Sequence, residues 1–222
     1  MIPCWLGTDI SYQDALALQE DHVSRIQAGE ASETLFLLEH SPVYTIGRTR
    51  NRSSLGDSSR LPHPVYEINR GGQATYHGPG QLVGYPILDL RNYGKDLHSY
   101  LRLLERSLID MLNEFGIKAT VREGLTGVWV QDRKIASIGV GVRKWISMHG
   151  FALNVTAESL PPFIHITPCG IEGVTTTCLH DECVENPSTR DVGERILHHL
   201  SLQIEEIADS SPSGSKPGNT CK

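Results

Sequence analysis

A glycine-rich run that also holds one arginine and one histidine is the segment of this 222-residue sequence best suited to approach a ligand closely. It reads R-G-G-Q-A-T-Y-H-G-P-G-Q-L-V-G-Y-P over residues 70–86. Because glycine lacks a Cβ, clustered glycines bring bare backbone and its N–H groups against a ligand. The spacing matches neither the dinucleotide-binding pattern G-x-G-x-x-G nor the phosphate-binding pattern G-x-x-x-x-G-K-[ST]. The segment therefore predicts a binding loop of another kind, with a glycine-rich turn before a buried strand as the alternative.

A cysteine and a lysine further along the chain have residue types that suit nucleophilic catalysis. Cys169 stands in the context T-P-C-G, in which Pro168 fixes the approach of the backbone and Gly170 leaves room in front of the sulfur. This context is typical of a presented thiol, whose thiolate form is the nucleophile. Lys134 opens an apolar stretch, where a lysine can be partly desolvated and held toward a site. Taken alone, each residue also fits a structural role, as a buried cysteine and as a surface lysine.

Five motifs together resemble one family, the lipoyl(octanoyl) transferases, which move an octanoyl group from acyl carrier protein to a lysine of lipoyl domains. They are E-H-S-P-V-Y-T-I-G-R at 39–48, the run at 70–86, D-R-K-I-A-S-I-G-V at 132–140, H-G-F-A-L-N-V at 149–155 and I-T-P-C-G-I at 166–171. The resemblance extends from roughly residue 5 to residue 205. It implies that octanoyl-acyl carrier protein is the donor and that no cofactor is needed. The implied acceptors are the lipoyl domains of 2-oxoacid dehydrogenases and the glycine cleavage H protein.

The resemblance also implies roles for individual residues. Cys169 is the expected acyl-thioester nucleophile, and Lys134 is expected to lower the pKa of that thiol and to transfer protons. A thiol is only a few per cent thiolate at neutral pH, and lowering its pKa from about 8.5 to about 7 makes it about half ionised. His77 is a candidate donor to the thioester carbonyl or its oxyanion, and His40 is a weaker candidate nearby, although a structural hydrogen bond is the commoner role of a lone histidine. The expected substrate-contacting residues are Arg70, Gly71, Gly72, Gln73, Ala74, Thr75, Tyr76, His77, Ser137, Ile138, Gly139, Gly150, Phe151 and Ala152.

The elements that must position these residues follow from periodicity and turn signals. Helices are predicted over 11–29, 97–115 and 189–207, and strands over 34–38, 65–68, 82–88, 120–121, 127–131, 135–142 and 147–155. Residues 53–64 are predicted to form a mobile loop. The pattern indicates one mixed α/β domain over 1–208, with a largely antiparallel or mixed sheet, and a disordered tail over 209–222. The resemblance implies the fold of the biotinyl/lipoyl protein ligases, a mixed sheet flanked by helices.

Composition excludes several other classes of protein. A net charge of −6 argues against a nucleic acid partner, and no stretch of about 18 apolar residues could cross a membrane. The first residues lack the pattern of a leader peptide, so we expect a cytoplasmic protein. Five cysteines without regular spacing indicate reduced thiols. Cys178, His180 and Cys183 have the spacing C-x-H-x-x-C, which matches no common zinc pattern, so no metal site is predicted.

A basic island lies within this acidic sequence. Arg48, Arg50 and Arg52 alternate with polar residues directly after the first family motif. Because acyl carrier proteins and lipoyl domains are acidic as a rule, these arginines are candidates for steering the carrier to the site. A solvated loop is the alternative.

Three other functions remain open from the sequence. An ATP-dependent lipoate or biotin ligase would share the fold but would form an acyl-adenylate and would need no presented cysteine. A cysteine hydrolase would need His165 or His77 as the base for Cys169, and it fits less well because His165 lies only four residues from Cys169, whereas a catalytic histidine normally comes from a distant segment. A non-catalytic module that binds lipoyl domains or acyl carrier protein would have no use for Cys169 or Lys134.

Overall fold

The computed structural model describes residues 1–48, 52–167 and 174–210. Its strands are β1 (Ile2–Ile10), β2 (Thr34–His40), β3 (Val43–Ile46), β4 (Val65–Glu67), β5 (Thr75–His77), β6 (Gln81–Ile87), β7 (Ala119–Arg122), β8 (Leu125–Val130), β9 (Arg133–Arg143), β10 (Ile146–Asn154) and β11 (Thr175–Thr176). Its helices are α1 (Tyr12–Ala28), α2 (Leu97–Glu114), α3 (Leu179–Glu182) and α4 (Thr189–Ser210). None of the helices within these ranges is long and apolar enough to span a bilayer.

The strands form a large mixed sheet and a small one. The large sheet has eight strands, in the order β1–β2–β6–β10–β9–β8–β7, with β11 added against β9. Its inner pairs are antiparallel, whereas β1 runs parallel to β2 and β11 runs parallel to β9. The small sheet has the order β4–β3–β5. This architecture confirms the predicted mixed sheet flanked by helices.

Helices cover both faces of the large sheet. Side chains alternate between the faces of a strand, and in β2 Leu35 and Leu37 join one core while Phe36 and Leu38 join the other. Helices α2 and α4 pack on the first face, and α1 packs on the second. Because both faces are covered, β2 and β6 are buried along their whole length. That burial explains why their sequences read as apolar runs without polar alternation.

Helix α1 begins and ends within one residue of the predicted bounds, but of the stripe that helical spacing predicts there, Ala15, Leu18, His22 and Ile26, only Ala15 is fully buried. Gly29 ends the helix with φ 75°, a left-handed conformation that glycine adopts without strain. Ser11 occupies the N-cap position, although its side chain makes no capping hydrogen bond. The buried positions are Tyr12, Ala15, Gln19 and Val23, with the predicted Leu18, His22 and Ile26 only partly buried at the side of the stripe.

The predicted loop over 53–64 lies between β3 and β4 and contains short 3-10 helices at Arg52–Leu55 and Ser58–Arg60. Ser54 is buried and joins distant parts of the chain: its Oγ accepts from the Ala74 N–H at 3.2 Å, and its carbonyl accepts from the Thr167 N–H at 2.8 Å. The Asp57 carboxylate caps the second turn by accepting from the Ser59 N–H at 3.1 Å. These bonds tie the predicted loop to residues far along the chain, while its mobility stays a prediction.

Candidate active site

A cavity of about 260 Å³ lies where residues 68–77 cross strands β9 and β10. The Gly71 N–H donates to the Val140 carbonyl at 3.0 Å, which ties this crossing segment to β9. The cavity is lined by Tyr12, Ile68, Arg70, Gly72, Gln73, Ala74, Thr75, His77, Tyr85, Gly124, Leu125, Thr126, Lys134, Ser137, Ile138, Gly139, His149, Gly150, Phe151 and Ala152. The structure therefore brings Lys134 and twelve of the fourteen predicted substrate-contacting residues to one cavity.

Two glycines allow the close approach of chain segments around this cavity. A Cβ on Gly139 would lie 2.8 Å from Cδ of Arg70, and a Cβ on Gly150 would lie 2.2 Å from the Gly84 carbonyl oxygen. Neither contact is possible for a real side chain. These glycines are therefore required by packing between segments, in addition to any contact with a ligand.

Arg70 is a buried cation held by the loop that it belongs to. Its Nη1 donates to the Gly71 carbonyl at 2.8 Å, and its Nη2 donates to the Gln73 carbonyl at 3.0 Å and to Thr45 Oγ1 at 2.9 Å. A guanidinium has five N–H donors in a rigid fork, so it can organise several carbonyl groups at once. Arg70 thus shapes the glycine-rich loop and places positive charge at the cavity wall.

Three histidines close to the cavity are buried in their neutral form. Burial lowers the pKa of His40 and of His149 to about 4, and Arg70 adds to the effect at His149. Burial, with the nearby His40 and Arg70, also holds the pKa of His77 well below its usual value. His40 is satisfied by the Ile10 carbonyl at 2.9 Å and by Tyr85 Oη at 2.7 Å. His40 therefore supports the cavity wall through Tyr85 without lining the cavity itself.

Some polar atoms of the cavity wall lack a hydrogen-bond partner within the described ranges. They are the Tyr12 hydroxyl, Gln73 Oε1 and Thr75 Oγ1, all of which are buried. A buried polar group without a partner costs stability, so such groups are usually satisfied by water or by a ligand. The cavity can therefore receive polar groups as well as an apolar chain.

Lys134 is buried at the start of β9, with 4 % of its surface exposed. It pairs with Trp129 of β8 on one side and with Thr176 of β11 on the other. Its Nζ lies 5.6 Å from the centre of the Trp129 ring, within reach of a cation–π interaction. Gly127 gives the lysine stem its room, because a Cβ there would lie 2.6 Å from Cε of Lys134.

The predicted nucleophile Cys169 lies outside the described residues, in the segment 168–173. The residues on both sides of that segment are anchored: the Thr167 N–H donates to the Ser54 carbonyl, and Thr176 pairs with Lys134. Of the other thiols, Cys178 is fully buried, and burial raises its pKa to about 11. Burial also raises the pKa of Cys183, whose Sγ donates to the Glu185 carbonyl at 3.1 Å. Both thiols are therefore poor sources of thiolate.

Cys178, His180 and Cys183 do not converge on one point, since His180 bonds instead to the Pro187 carbonyl. No group of three or more His, Cys, Asp or Glu side chains suited to hold a metal ion occurs in the part of the chain that the structure covers.

Two predicted substrate-contacting residues do not line the cavity. Gly71 reaches β9 through its backbone, and Tyr76 points to the opposite side of β5. There the Tyr76 ring packs against Tyr44 and Phe163. The alternation of side chains along a strand accounts for this, because Thr75 and His77 on either side of Tyr76 both face the cavity.

The sequence analysis missed several residues of the cavity wall. Tyr12 comes from the first turn of α1, and its ring stacks on the His77 ring with centroids 6.4 Å apart. Tyr85 and His149 lie within the family motifs at 70–86 and 149–155, but neither is predicted to contact the substrate. His149 has φ 58°, an uncommon conformation for a side chain other than glycine, and its N–H is fixed by Gln19 Oε1 at 2.8 Å. The motifs that contain Tyr85 and His149 already mark their segments, whereas Tyr12 is revealed only by its long-range contacts.

Comparisons with known proteins bear on this fold and this site. The model of the lipoyl protein ligase A/B catalytic domain matches residues 11–201. An octanoyltransferase of Geobacter sulfurreducens is 54% identical over 173 residues, which are 78% of this chain and 72% of that protein. An octanoyltransferase of Syntrophotalea carbinolica is 50% identical over 194 residues, which are 87% of this chain and 90% of that protein.

Solved structures show the same fold at low identity. A bi-partite lipoate protein ligase of Thermoplasma acidophilum matches with a TM-score of 0.62 and 18% identity, covering 94% of this chain and 92% of that one. A biotin protein ligase of Aquifex aeolicus matches with a TM-score of 0.56 and 15% identity, covering 95% of this chain and 72% of that one. These likenesses confirm the biotinyl/lipoyl protein ligase fold. Together with the relatives at 50% identity or more, the family match shows that this chain belongs to the octanoyltransferases of the lipoyl protein ligase A/B catalytic domain family.

Proposed function

We propose that this protein transfers an octanoyl group from octanoyl-acyl carrier protein to a lysine of a lipoyl domain through an acyl-thioester on Cys169. Two similar proteins are octanoyltransferases by name, and this name supports the acyl group. The chemistry of the candidate site supports the finer parts of the proposal, namely the donor, the acceptor lysine and the thioester intermediate.

The burial of Lys134 in the cavity wall is the observation that carries this proposal. A lysine is rarely buried unless it is paired or does chemistry. Here its strand is paired with β11, which follows the segment that contains Cys169. In the sequence, Cys169 is six residues before Thr175 and two after Thr167. Thr167 is in turn tied to the cavity residue Ala74 through Ser54.

The proposed reaction has two acyl transfers. In the first, the Cys169 thiolate attacks the thioester carbonyl of the donor, a new C–S bond forms, and the carrier's thiolate leaves and takes a proton from Lys134. In the second, the acceptor amine attacks the acyl-enzyme, a C–N bond forms, and the C–S bond to Cys169 breaks. The amine proton passes to Lys134, which restores both starting groups. A neighbouring ammonium lowers a thiol's pKa, so the same lysine also favours the attacking thiolate.

The cavity wall suits an acyl chain beside a polar head. Ile138, Phe151 and Ala152 provide apolar surface, and small residues along β9 and β10 leave room for a chain. Burying six methylenes of an octanoyl group at about 0.8 kcal/mol each would contribute on the order of 5 kcal/mol of binding. The unpartnered hydroxyl groups of Tyr12 and Thr75 would then meet polar groups of the substrate.

A transfer assay without ATP tests this function. We expect the purified protein to move octanoyl from octanoyl-acyl carrier protein to a lipoyl domain, detected by the mass of the domain, and expect a domain with its lysine changed to arginine to stay unmodified. Cys169→Ala should abolish transfer, whereas Cys4→Ala should not. Transfer that requires ATP and free octanoate would instead identify a ligase, and failure with both donors would refute the proposal.

A further inference from the structure

A chain of buried hydrogen bonds leads from the backbone of Lys134 into the interior of the sheet. The Thr177 N–H donates to the Lys134 carbonyl at 3.0 Å. The Thr177 carbonyl accepts from Asn154 Nδ2 at 3.0 Å. Asn154 Oδ1 in turn accepts from Gln81 Nε2 at 2.9 Å. Lys134, Thr177, Asn154 and Gln81 are each at most 4 % exposed, so water has little access to these bonds.

The same chain continues from Gln81 to the cavity wall. Gln81 Oε1 lies 2.8 Å from His77 Nδ1, and His77 Nε2 lies 3.5 Å from Thr45 Oγ1. Thr45 Oγ1 accepts from Arg70 Nη2 at 2.9 Å. The hydrogen bonds thus run from the backbone carbonyl of Lys134 to the guanidinium of Arg70. They pass through His77 and the side-chain amides of Asn154 and Gln81.

The backbone carbonyl of Thr177 fixes the direction of the hydrogen bonds from Asn154 to His77. A backbone carbonyl can only accept, so Asn154 must turn its NH₂ group to Thr177 and its oxygen to Gln81. Gln81 must then turn its NH₂ group to Asn154 and its oxygen to His77. At the other end a guanidinium can only donate, so the Thr45 hydroxyl accepts from Arg70 and has its own proton free for His77 Nε2. The Gln81 oxygen therefore demands a proton on His77 Nδ1, which leaves the lone pair of the neutral ring on Nε2, and the Thr45 hydroxyl is compatible with this arrangement.

We propose that Asn154 and Gln81 are positioning residues that hold the cavity residue His77 in the Nδ1–H tautomer, so that its Nε2, beside Thr45, is a hydrogen-bond acceptor. The opposite tautomer would turn both amides and would leave the oxygens of Asn154 and Thr177 facing each other. Burial of His77 keeps the ring neutral, which makes the choice between tautomers meaningful at neutral pH.

This tautomer changes the role that His77 can have in the cavity. A lone pair at Nε2 cannot donate to a thioester carbonyl or its oxyanion, so the assignment replaces the donor role that the sequence suggested. Nε2 has one lone pair, so a substrate donor can take it only by displacing the weak contact to Thr45 at 3.5 Å. In the proposed transfer, on which this step rests, the incoming lysine amine is the substrate group that offers N–H donors. His77 is therefore an acceptor for the amine in the second half of the reaction.

The tautomer is tested by ¹⁵N NMR of histidine-labelled protein at neutral pH, without any substrate. We expect one pyrrole-type signal at His77 Nδ1 and one pyridine-type signal at Nε2, with the Nδ1–H form favoured by at least about tenfold, or about 1.4 kcal/mol. A protonated Nε2 in the wild-type protein would overturn the assignment. Because no substrate is present, this result is independent of whether the proposed transfer occurs.

Substitutions at Asn154 separate positioning from simple packing. Asn154→Leu removes the group that orients Gln81, so both tautomers should be populated. Asn154→Asp, as the protonated acid at this buried position, keeps a donor for the Thr177 carbonyl and an oxygen for Gln81 Nε2, so the Nδ1–H form should be retained. Ser147→Ala on the same strand removes equally buried hydrogen bonds, to Pro86 and Leu88, and should leave the His77 signals unchanged. If Asn154→Leu also keeps a single Nδ1–H tautomer, Asn154 does not set it and the proposal is wrong.

Loss of this positioning should change the rates of the two half-reactions unequally. We expect Gln81→Met to form the acyl-enzyme at a rate near that of the wild type. Transfer of the acyl group to a lipoyl domain should be slower on the order of tenfold, which corresponds to the loss of about one hydrogen bond. Equal slowing of both half-reactions would contradict the role of His77 toward the amine.

Discussion

Mild acid should destabilise this protein through the buried histidines around its cavity. His40 and His149 both have a pKa of about 4 in the folded chain, because burial disfavours the charged ring. In the unfolded chain a histidine returns to its ordinary pKa of about 6.5. Between these values the unfolded state binds more protons than the folded state, so stability falls as the pH is lowered from about 6.5 to about 4.

The size of the effect follows from these pKa values. At about pH 5, each of the two histidines costs about 2 kcal/mol of stability relative to about pH 7.5, or about 4 kcal/mol together. His77 acts in the same direction, since its pKa is also held well below the usual value. A domain is commonly stable by about 5–15 kcal/mol, so this loss is a large fraction of the total.

Urea unfolding followed by the fluorescence of the buried Trp129 measures this loss. With a urea m-value of about 2–3 kcal/mol per M, the unfolding midpoint should fall by roughly 1.3–2 M between about pH 7.5 and about pH 5. His149→Asn should remove the contribution of His149, which is about half of the fall in the midpoint that His40 and His149 cause together. His98→Gln, at an exposed position of α2, should leave it unchanged. A midpoint that does not move over this pH range would refute the neutral burial of these rings.

Three further predictions concern the site and its surroundings. Lys134→Met should slow the alkylation of Cys169 at neutral pH and move the alkylation profile to higher pH, which iodoacetamide labelling measures. Replacing Arg50 and Arg52 with Glu should lower kcat/KM for octanoyl-acyl carrier protein and weaken its salt dependence, while single-turnover transfer from preformed acyl-enzyme stays nearly unchanged. Gly127→Ala should destabilise the fold by about 1–3 kcal/mol and reduce turnover, because its Cβ would lie 2.6 Å from Lys134 Cε at a backbone φ of 127°.

Matched controls give each of these predictions a result that would contradict it. Gly116→Ala shares a positive φ, 73°, but its Cβ would meet no atom within 4 Å, so it should cost only about 1 kcal/mol and spare turnover. Equal losses at Gly116 and Gly127 would contradict the steric argument. An unchanged alkylation profile would remove Lys134 from the control of the thiol. Wild-type kcat/KM at low salt in the Arg50/Arg52 double variant would leave those arginines as an ordinary solvated loop.

The elements with strong local signals could be predicted from the sequence. The bounds of α2 at Leu97–Glu114 agree with the predicted 97–115, because leucines recur there at helical spacing and Gly116 follows in a left-handed conformation. Strands β9 and β10 were also predicted, within one or two residues of their ends. The short strands β3 and β5 were missed, since three or four residues carry too little periodicity to distinguish a strand from a loop.

The candidate site could likewise be predicted only in part. The family motifs pointed to Lys134 and to the glycine-rich loop, and those motifs meet at the cavity. Tyr12 and the pair Asn154–Gln81 were not predicted, because their roles depend on contacts between residues far apart in sequence. The Asn154–Gln81 hydrogen bond joins residues 73 positions apart, across strands β10 and β6. Such a contact becomes visible only when the strand order is known.

The formation of an acyl-enzyme is the most direct test of the proposed function. The protein is incubated with octanoyl-acyl carrier protein, without ATP and without an acceptor, and its intact mass is measured. We expect one octanoyl adduct that hydroxylamine removes, that is absent in Cys169→Ala, and that persists in the matched variant Cys178→Ala. An adduct that survives in Cys169→Ala, or the absence of any adduct in a protein that still transfers octanoyl, would contradict catalysis through Cys169.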